Sequence, residues 1–452
     1  MPVNESIFKA YDIRGLYPEE INEQSAYAIG RASARFLSAR SVAVGRDMRN
    51  SSPSLKKSLI KGLTAEGTHV IDLDLASTPM VYFASSRLAV DAAMMVTASH
   101  NPAAYNGFKI CRKNAVPVGA GTGLEEIKSL AVNGQWPDEK KAGQISSDNR
   151  IQDDYFNFIA KFFQALAGQK KKIVIDYGNA MGIFEQPIFD RLADGIKVIP
   201  LYDTYDGSFP NHEPNPLKTE TLAALQKKVR AEKADLGFSY DGDADRIGFV
   251  DEQGAIVPMD FISGLLAGEV LKNHPGGLVL IDLRSSKAVR EFIQAQGGRV
   301  ELCRVGHSLI KKQMREQGAI FAGELSGHYY FQENQNAEMS TLAALLILNL
   351  LNRTGQPLSV HCQALKKYFH SGEINSEVMD KEAIMQRLKK KYADGQISEL
   401  DGVRIDFPDW WFNVRPSNTE PALRLNLEGK TEEIKREKLA EVLALIRGGE
   451  TI

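Results

Sequence analysis

Two short segments hold residue types whose spacing can do chemistry. The first is Thr97-Ala98-Ser99-His100-Asn101-Pro102. It places one serine between small and polar neighbours, directly after the apolar run Ala92 to Val96. A strand that ends in a small-residue turn presents its serine at the rim of a sheet, where Ser99 can carry a phosphoryl group. The surroundings are not a G-x-S-x-G nucleophile elbow, which argues against an acyl-transferring hydrolase. Turn formation alone would account for Ser, Asn and Pro here, so the reading depends on the second segment, Asp241-Gly-Asp-Ala-Asp-Arg246. Asp241, Asp243 and Asp245 alternate, and alternation throws every second side chain to one side. Three convergent carboxylates repel unless a cation sits among them. Hard oxygen ligands suit Mg²⁺, with a phosphate oxygen or waters completing the shell. An EF-hand loop would place acids at the same three positions and Glu252 at its twelfth. Arg246 stands where that loop needs glycine, and Ile247 to Val250 read as a strand, not an exit helix. A solvated acidic turn is the remaining alternative. The apolar flanks Leu236 to Phe238 and Ile247 to Val250 instead set the acids at the end of a buried strand, where unpaired charge is costly.

The elements that must position these loops follow from pattern. The chain has 452 residues with ordinary apolar and charged content, so several globular domains are expected. Lysine and arginine number 55 against 57 acidic residues, a net charge of −2 that draws the protein to neither nucleic acid nor membrane. No basic run is interleaved with aromatics. Cys111, Cys303 and Cys362 are widely spaced and odd in number, which suggests reduced thiols and not a disulfide framework. The start of the chain lacks an apolar signal core, so a cytoplasmic protein is expected. Leu342 to Leu351 is too short to span a bilayer and is expected to be a buried helix.

Three segments repeat one order: apolar strand, polar turn, helix. They begin at Val42, Ile173 and Leu278. The first helix reads with Ser52 as N-cap and Pro53 at its first position, the second runs through Phe184 and Phe189, and the third through Val289 and Ile293. Some tens of residues after each comes a distinctive loop: TASHNP, DGDADR, and GELSGH from Gly323 to His328. The pattern predicts a threefold α/β repeat with mixed sheets, each copy giving one loop to a shared cleft. From about Lys366 the strands Ile374 to Val378 and Gly402 to Phe407, two further strands and a helix from Thr431 to Arg447 predict a smaller α+β domain. The expected domains are 1–148, 149–251, 252–364 and 365–452.

With these residues in hand, the chain resembles the α-D-phosphohexomutase family along nearly its whole length, and within it the phosphomannomutase and bifunctional phosphomannomutase/phosphoglucomutase branch. The matching strings are KAYDIRG (Lys9 to Gly15), TASHNP, YNGFK (Tyr105 to Lys109), FPNHEPNP (Phe209 to Pro216), DGDADR, VGH (Val305 to His307), GELSGH and RPSNTEP (Arg415 to Pro421). The resemblance implies a phosphoserine enzyme at Ser99 and a bound hexose 1,6-bisphosphate that also serves as activator. It implies one Mg²⁺ held by Ser99, Asp241, Asp243 and Asp245. Lys109 would act as general base, with Arg14, His100, Arg246 and His307 near the reacting phosphate. Glu324, Ser326 and His328 would read the sugar. Tyr11, Arg284, Arg415, Ser417, Asn418, Thr419 and Arg424 would hold substrate and its non-reacting phosphate. Arg284 stands where relatives commonly have lysine. The expected partners are small hexose phosphates, with no nucleic acid or membrane, for a monomer or homodimer. Mannose and glucose phosphates are the leading substrates. Phosphoglucosamine or phosphopentose mutase, a Mg²⁺-dependent sugar phosphatase and a non-catalytic phosphosugar-binding protein are the alternatives.

Overall fold

The structure is a computed structural model that describes residues 3–136, 141–166, 170–416 and 422–448. Four sheets follow one another along the chain. The first three share a core arrangement. In the first, Ser41–Arg46 runs parallel to Ala92–Val96, which turns back antiparallel into Tyr105–Arg112. In the second, Lys171–Asp176 runs parallel to Leu236–Tyr240, followed antiparallel by Ile247–Val250. In the third, Leu278–Asp282 runs parallel to Phe321–Gly323, followed antiparallel by Tyr329–Phe331. The three sheets are therefore mixed, as the repeat implied. The reversal between the last two strands is in each case the loop singled out above.

The sequences explain the pairing. Ala92–Val96, Leu236–Tyr240 and Leu278–Asp282 are buried at every position, so helices must cover both faces. On the first sheet, Glu23–Leu37, Ser52–Ala65 and Leu124–Asn133 enclose one core with Val42, Val44 and Met94. The other face, under Thr78–Arg87, opens into a core shared with the second and third sheets. Met80, Tyr155, Phe238, Ile281 and Leu345 all belong to it. Ser340–Thr354, the expected buried helix, lies within this shared core.

Two local details differ from the sequence reading. The helix Ser52–Ala65 has Ser51 as its N-cap, not Ser52. The Ser52 hydroxyl is instead spent on Asp47, at 2.5 Å. The helix through Phe184 and Phe189 is a 3₁₀ turn, Met181–Glu185, continued by the short α-helix Gln186–Asp190.

The fourth sheet is wholly antiparallel, in the order Phe369–Glu377, Ala422–Gly429, Trp410–Pro416, Val403–Asp406, Gln396–Ser398. Its helix Glu432–Arg447 is capped by Thr431, whose side chain accepts from the Ile434 amide. A second helix, Lys381–Lys391, joins the same layer and was not apparent from sequence. These elements close a separate small core around Ile405, Phe412, Leu425 and Val442. Among the described residues no helix is long and apolar enough to cross a membrane.

Candidate active site

The Ser99 loop is clamped from beneath. Arg49 is buried and donates to four backbone carbonyls of the loop: Ser99 (2.7 Å), Asn101 (2.6 Å), Pro102 (2.8 Å) and Tyr105 (3.0 Å). Asp47 pairs with Arg49 at 3.2 Å and neutralises it. Phe209 of the FPNHEPNP segment lies under the same guanidinium, 5.0 Å from ring to charge. This clamp holds Ser99 at φ +51, a left-handed conformation that a non-glycine residue adopts at some cost.

The metal-type loop packs directly on it. A Cβ at Gly242 would lie 2.1 Å from the Ser99 carbonyl oxygen, so only glycine lets the two loops meet. The Ser99 hydroxyl donates to Asp241 Oδ2 at 2.8 Å and lies 3.2 Å from His100 Nδ1. Asp241, Asp243 and Asp245 are buried, and each offers an oxygen within 4.8 Å of the others. Burial, then the charges of Asp243 and Asp245, hold Asp241 well above the usual carboxylate range. Asp243 Oδ1 is buried with no hydrogen-bond partner among the described residues. An all-oxygen, electron-rich triad with an orphaned oxygen fits a hard divalent cation.

Lys109 bridges the triad to the first sheet. It stands opposite Met95 on Tyr105–Arg112, and its ammonium donates to Asp243 at 2.6 Å and Asp245 at 2.5 Å. Burial alone would lower its pKa, but the carboxylates outweigh it and raise it well above the ordinary lysine value. The same charge and His328 outweigh burial at Asp245 and hold it well below the carboxylate range. Thr78 and Ser340 fix the loop from either side. Thr78 donates to Asp243 Oδ2, and Ser340 to the Ala244 carbonyl.

Basic groups ring this centre. Arg14 donates to Asp12 and to Asn101 Oδ1 in the Ser99 loop. Arg246 lies 3.8 Å from Asp241 and 3.3 Å from His328 Nε2. Burial, then Arg246 and Arg14, push His100 well below the usual imidazole range, so the ring is neutral. His328 is the opposite case. Burial would lower it, yet Asp245 at 3.3 Å and Glu324 at 3.1 Å raise it to about 9. It thereby links the metal-type loop to the GELSGH loop, where Ser326 also contacts its ring at 2.8 Å. Glu324 accepts further bonds from Tyr330 (2.9 Å) and the Gly306 amide (3.3 Å). His307 packs edge-on against Tyr11, and burial, then Lys311 and Lys109, keep it neutral.

Tyr11 donates to the Val305 carbonyl at 3.1 Å and lines a cleft of about 640 Å³ with Lys9, Arg415 and Arg424. Arg284 is anchored by Asp282 at 2.5 Å. The structure thus brings sixteen expected residues to two adjoining groups and one cleft: Ser99, His100, Lys109, Asp241, Asp243, Asp245, Arg14, Arg246, Glu324, Ser326, His328, His307, Tyr11, Arg415 and Arg424, with Arg284 joined to the last two through Glu373. Ser417, Asn418 and Thr419 lie outside the described residues. Sequence reasoning missed Asp47, Arg49, Thr78 and Ser340. Arg49 sits within a polar turn, and no local signal marks its long-range bonds.

A buried hydroxyl, a triad of carboxylates that fits a cation and encircling positive charge are the groups that phosphoryl transfer asks for, held here on three copies of one sheet arrangement. The chain belongs to the phosphoglucomutase/phosphomannomutase family. Its three alpha/beta/alpha domain models match residues 5–136, 153–254 and 258–368, and the C-terminal domain model matches 373–445. The phosphomannomutase of Methanocaldococcus jannaschii is 39% identical over 446 residues, covering 97% of each chain. The phosphomannomutase/phosphoglucomutase of Pseudomonas aeruginosa is 38% identical, covering 95% of this chain and 92% of that one. A crystal structure of a phosphoglucomutase/phosphomannomutase family protein from Burkholderia thailandensis superposes with a TM-score of 0.89, at 31% identity and 98% coverage of both chains.

Proposed function

We propose that the protein is a phosphohexomutase that interconverts hexose 1-phosphate and hexose 6-phosphate, with mannose and glucose phosphates as substrates. The observation that carries this reading is the Ser99 hydroxyl, 2.8 Å from Asp241 in a cation-ready triad and locked there by the Gly242 contact. Family membership and full-length similarity to phosphomannomutases support it.

In this reading Ser99 carries a phosphoryl group. The sugar hydroxyl attacks it, the bond to Ser99 Oγ breaks, and a bound 1,6-bisphosphate results. The proton lost by that hydroxyl passes to Ser99 Oγ; after the intermediate turns, Ser99 Oγ attacks the other phosphorus, the bond from that phosphorus to the sugar oxygen breaks and that oxygen takes the proton back, so the phosphate has moved between O1 and O6. Asp241, Asp243, Asp245 and the serine would hold one Mg²⁺, which when bound supplies neutralising charge at the transferring group. Arg14 and Arg246 add fixed positive charge from the protein. Lys109 is cationic against Asp243 and Asp245. It becomes a base only when those carboxylates are engaged elsewhere, so we assign it the proton of the attacking hydroxyl on that condition. Glu324, Ser326 and His328 select hydroxyl pairs, since a sugar lacking one leaves buried polar groups unpaired. Arg284, Arg415 and Arg424 bind the non-reacting phosphate as planar forks, with Ser417, Asn418 and Thr419 assigned to the same anion on family resemblance alone.

³¹P NMR of the Mg²⁺-loaded protein with mannose 1-phosphate, repeated with glucose, glucosamine and ribose 1-phosphates and primed with a trace of the matching bisphosphate, tests the reading. Growth of a terminal-carbon phosphate signal is expected, fastest for mannose and glucose. Growth of inorganic phosphate alone would make the protein a phosphatase. No change with any sugar would make it a binding protein.

A further inference from the structure

The strand Phe369–Glu377 carries one carboxylate that three arginines share. Glu373 Oε2 accepts from Arg284 Nη1 at 3.2 Å and from Arg415 Nη2 at 3.0 Å, and Oε1 accepts from Arg424 Nη1 at 3.3 Å. Arg284 reaches across from the third sheet. Arg415 and Arg424 face each other in register on neighbouring strands of the fourth. These are the three guanidiniums assigned above to the non-reacting phosphate.

Three features separate this cluster from an ordinary surface ion pair. The Arg284 and Arg415 side chains are about nine-tenths buried. Arg415 Nε has no hydrogen-bond partner among the described residues, so its fork is only partly used. The cluster also borders the cleft lined by Lys9 and Tyr11. A carboxylate and a phosphate offer guanidinium the same thing, anionic oxygens spaced for paired N–H donors. The two anions therefore compete for one set of donors.

We propose that Glu373 is a positioning residue that serves as the protein's own counter-anion for this subsite. Resting on the phosphohexomutase reading, the inference is that Glu373 holds the three arginines in place in the free enzyme, yields them to the substrate phosphate, and takes them back when the bisphosphate must let go to turn. The contact spans the third and fourth units, so exchange of anions also couples phosphate release to their separation. An intermediate that releases this subsite once per turnover gains nothing from tighter holding. Affinity shared by every bound state lowers KM without raising kcat.

Glu373→Gln keeps the length of the side chain and removes its charge. In the Mg²⁺-loaded enzyme we expect the inhibition constant of inorganic phosphate and the KM for glucose 1-phosphate both to fall, by about fivefold as suits partly exposed ion pairs. The kcat should fall by a similar factor as release slows. A residue that merely stiffened the arginines would give the opposite sign, so a rise in the inhibition constant, or no change in it, overturns the proposal. An unchanged kcat alongside tighter phosphate binding overturns the role in release. Arg415→Ala separates this proposal from the reading beneath it. If it alters neither constant, the subsite assignment fails and the proposal with it. If it raises both while Glu373→Gln moves neither, only the role of Glu373 fails.

Discussion

At the scale of single residues, the centre depends on side chains that touch its carboxylates from outside. Thr78 is the clearest. Its hydroxyl donates to Asp243 Oδ2 at 2.6 Å from the start of a first-sheet helix. Thr78→Val keeps the shape but loses the bond, leaving that oxygen to Lys109 alone. Mg²⁺ activation should then need roughly 10–100-fold more metal, read by titrating turnover against Mg²⁺. An unchanged activation curve would rule out the role. Glu185 makes a different kind of prediction. It is fully buried and accepts bonds from Ser77, Tyr155 and Thr341, which reach it from three units. Burial, only partly offset by those donors, raises its pKa from 4.5 to about 7. Because the folded value exceeds the unfolded one, the folded state binds the extra proton between them. That stabilisation is complete below the unfolded value and is lost as pH rises through about 7, a change of about 3 kcal/mol. Melting temperatures from ~pH 5 to ~pH 8 should therefore fall less steeply for Glu185→Gln than for the parent. Parallel slopes would show that Glu185 keeps an ordinary pKa.

At the scale of elements, one device is used three times: a buried parallel strand that reverses into an antiparallel partner, with the residues proposed for function in the reversal. TASHNP, DGDADR and GELSGH were legible because their flanks are short apolar runs with a sudden change of composition. The loops' mutual contact was not. The Gly242 approach to Ser99 joins residues far apart in sequence, and nothing in either string announces it. The same limit hid Arg49, whose four acceptors lie on one distant loop. In the fourth unit, the helix Lys381–Lys391 escaped notice because only Ile384 and Leu388 are buried in it, so its apolar stripe is faint against four lysines. The loop contact itself is testable. A Cβ at Gly242 would meet backbone, which cannot swing aside as a side chain can. Gly242→Ala should displace Ser99 by some tenths of an ångström and reduce kcat on the order of a hundredfold, while far-UV circular dichroism stays that of the parent. Retention of full turnover would mean that the two loops need not touch during the reaction.

Across the whole molecule, apolar contact is unevenly shared. The first three sheets pour side chains into one continuous core, from Met80 through Phe238 to Leu345, so none can be exposed without opening the others. The fourth unit keeps its own core, and its named contacts with the third are polar. Arg404 donates to the Leu283 carbonyl, the Lys287 amide to Glu428, the Val305 amide to Asp401, and Arg284 to Glu373. Polar contacts of this kind hold two units together less firmly than a shared apolar core, so this boundary is where we expect the molecule to open first. It is also where the proposed phosphate arginines sit, so opening and closing there would admit substrate and give the bisphosphate room to turn. We therefore expect two unfolding steps in denaturant, the fourth unit first. The tryptophans offer a direct reading, because two of the three, Trp410 and Trp411, lie in that unit. Tryptophan emission should change at lower urea than far-UV circular dichroism. A hexose 1,6-bisphosphate that bridges the units should raise the emission midpoint toward the second, since a ligand stabilises only the states that bind it. Coincident transitions with and without ligand would show that the polar boundary is as cohesive as the shared core, and a rigid fourth unit would leave no route for the intermediate to turn in place.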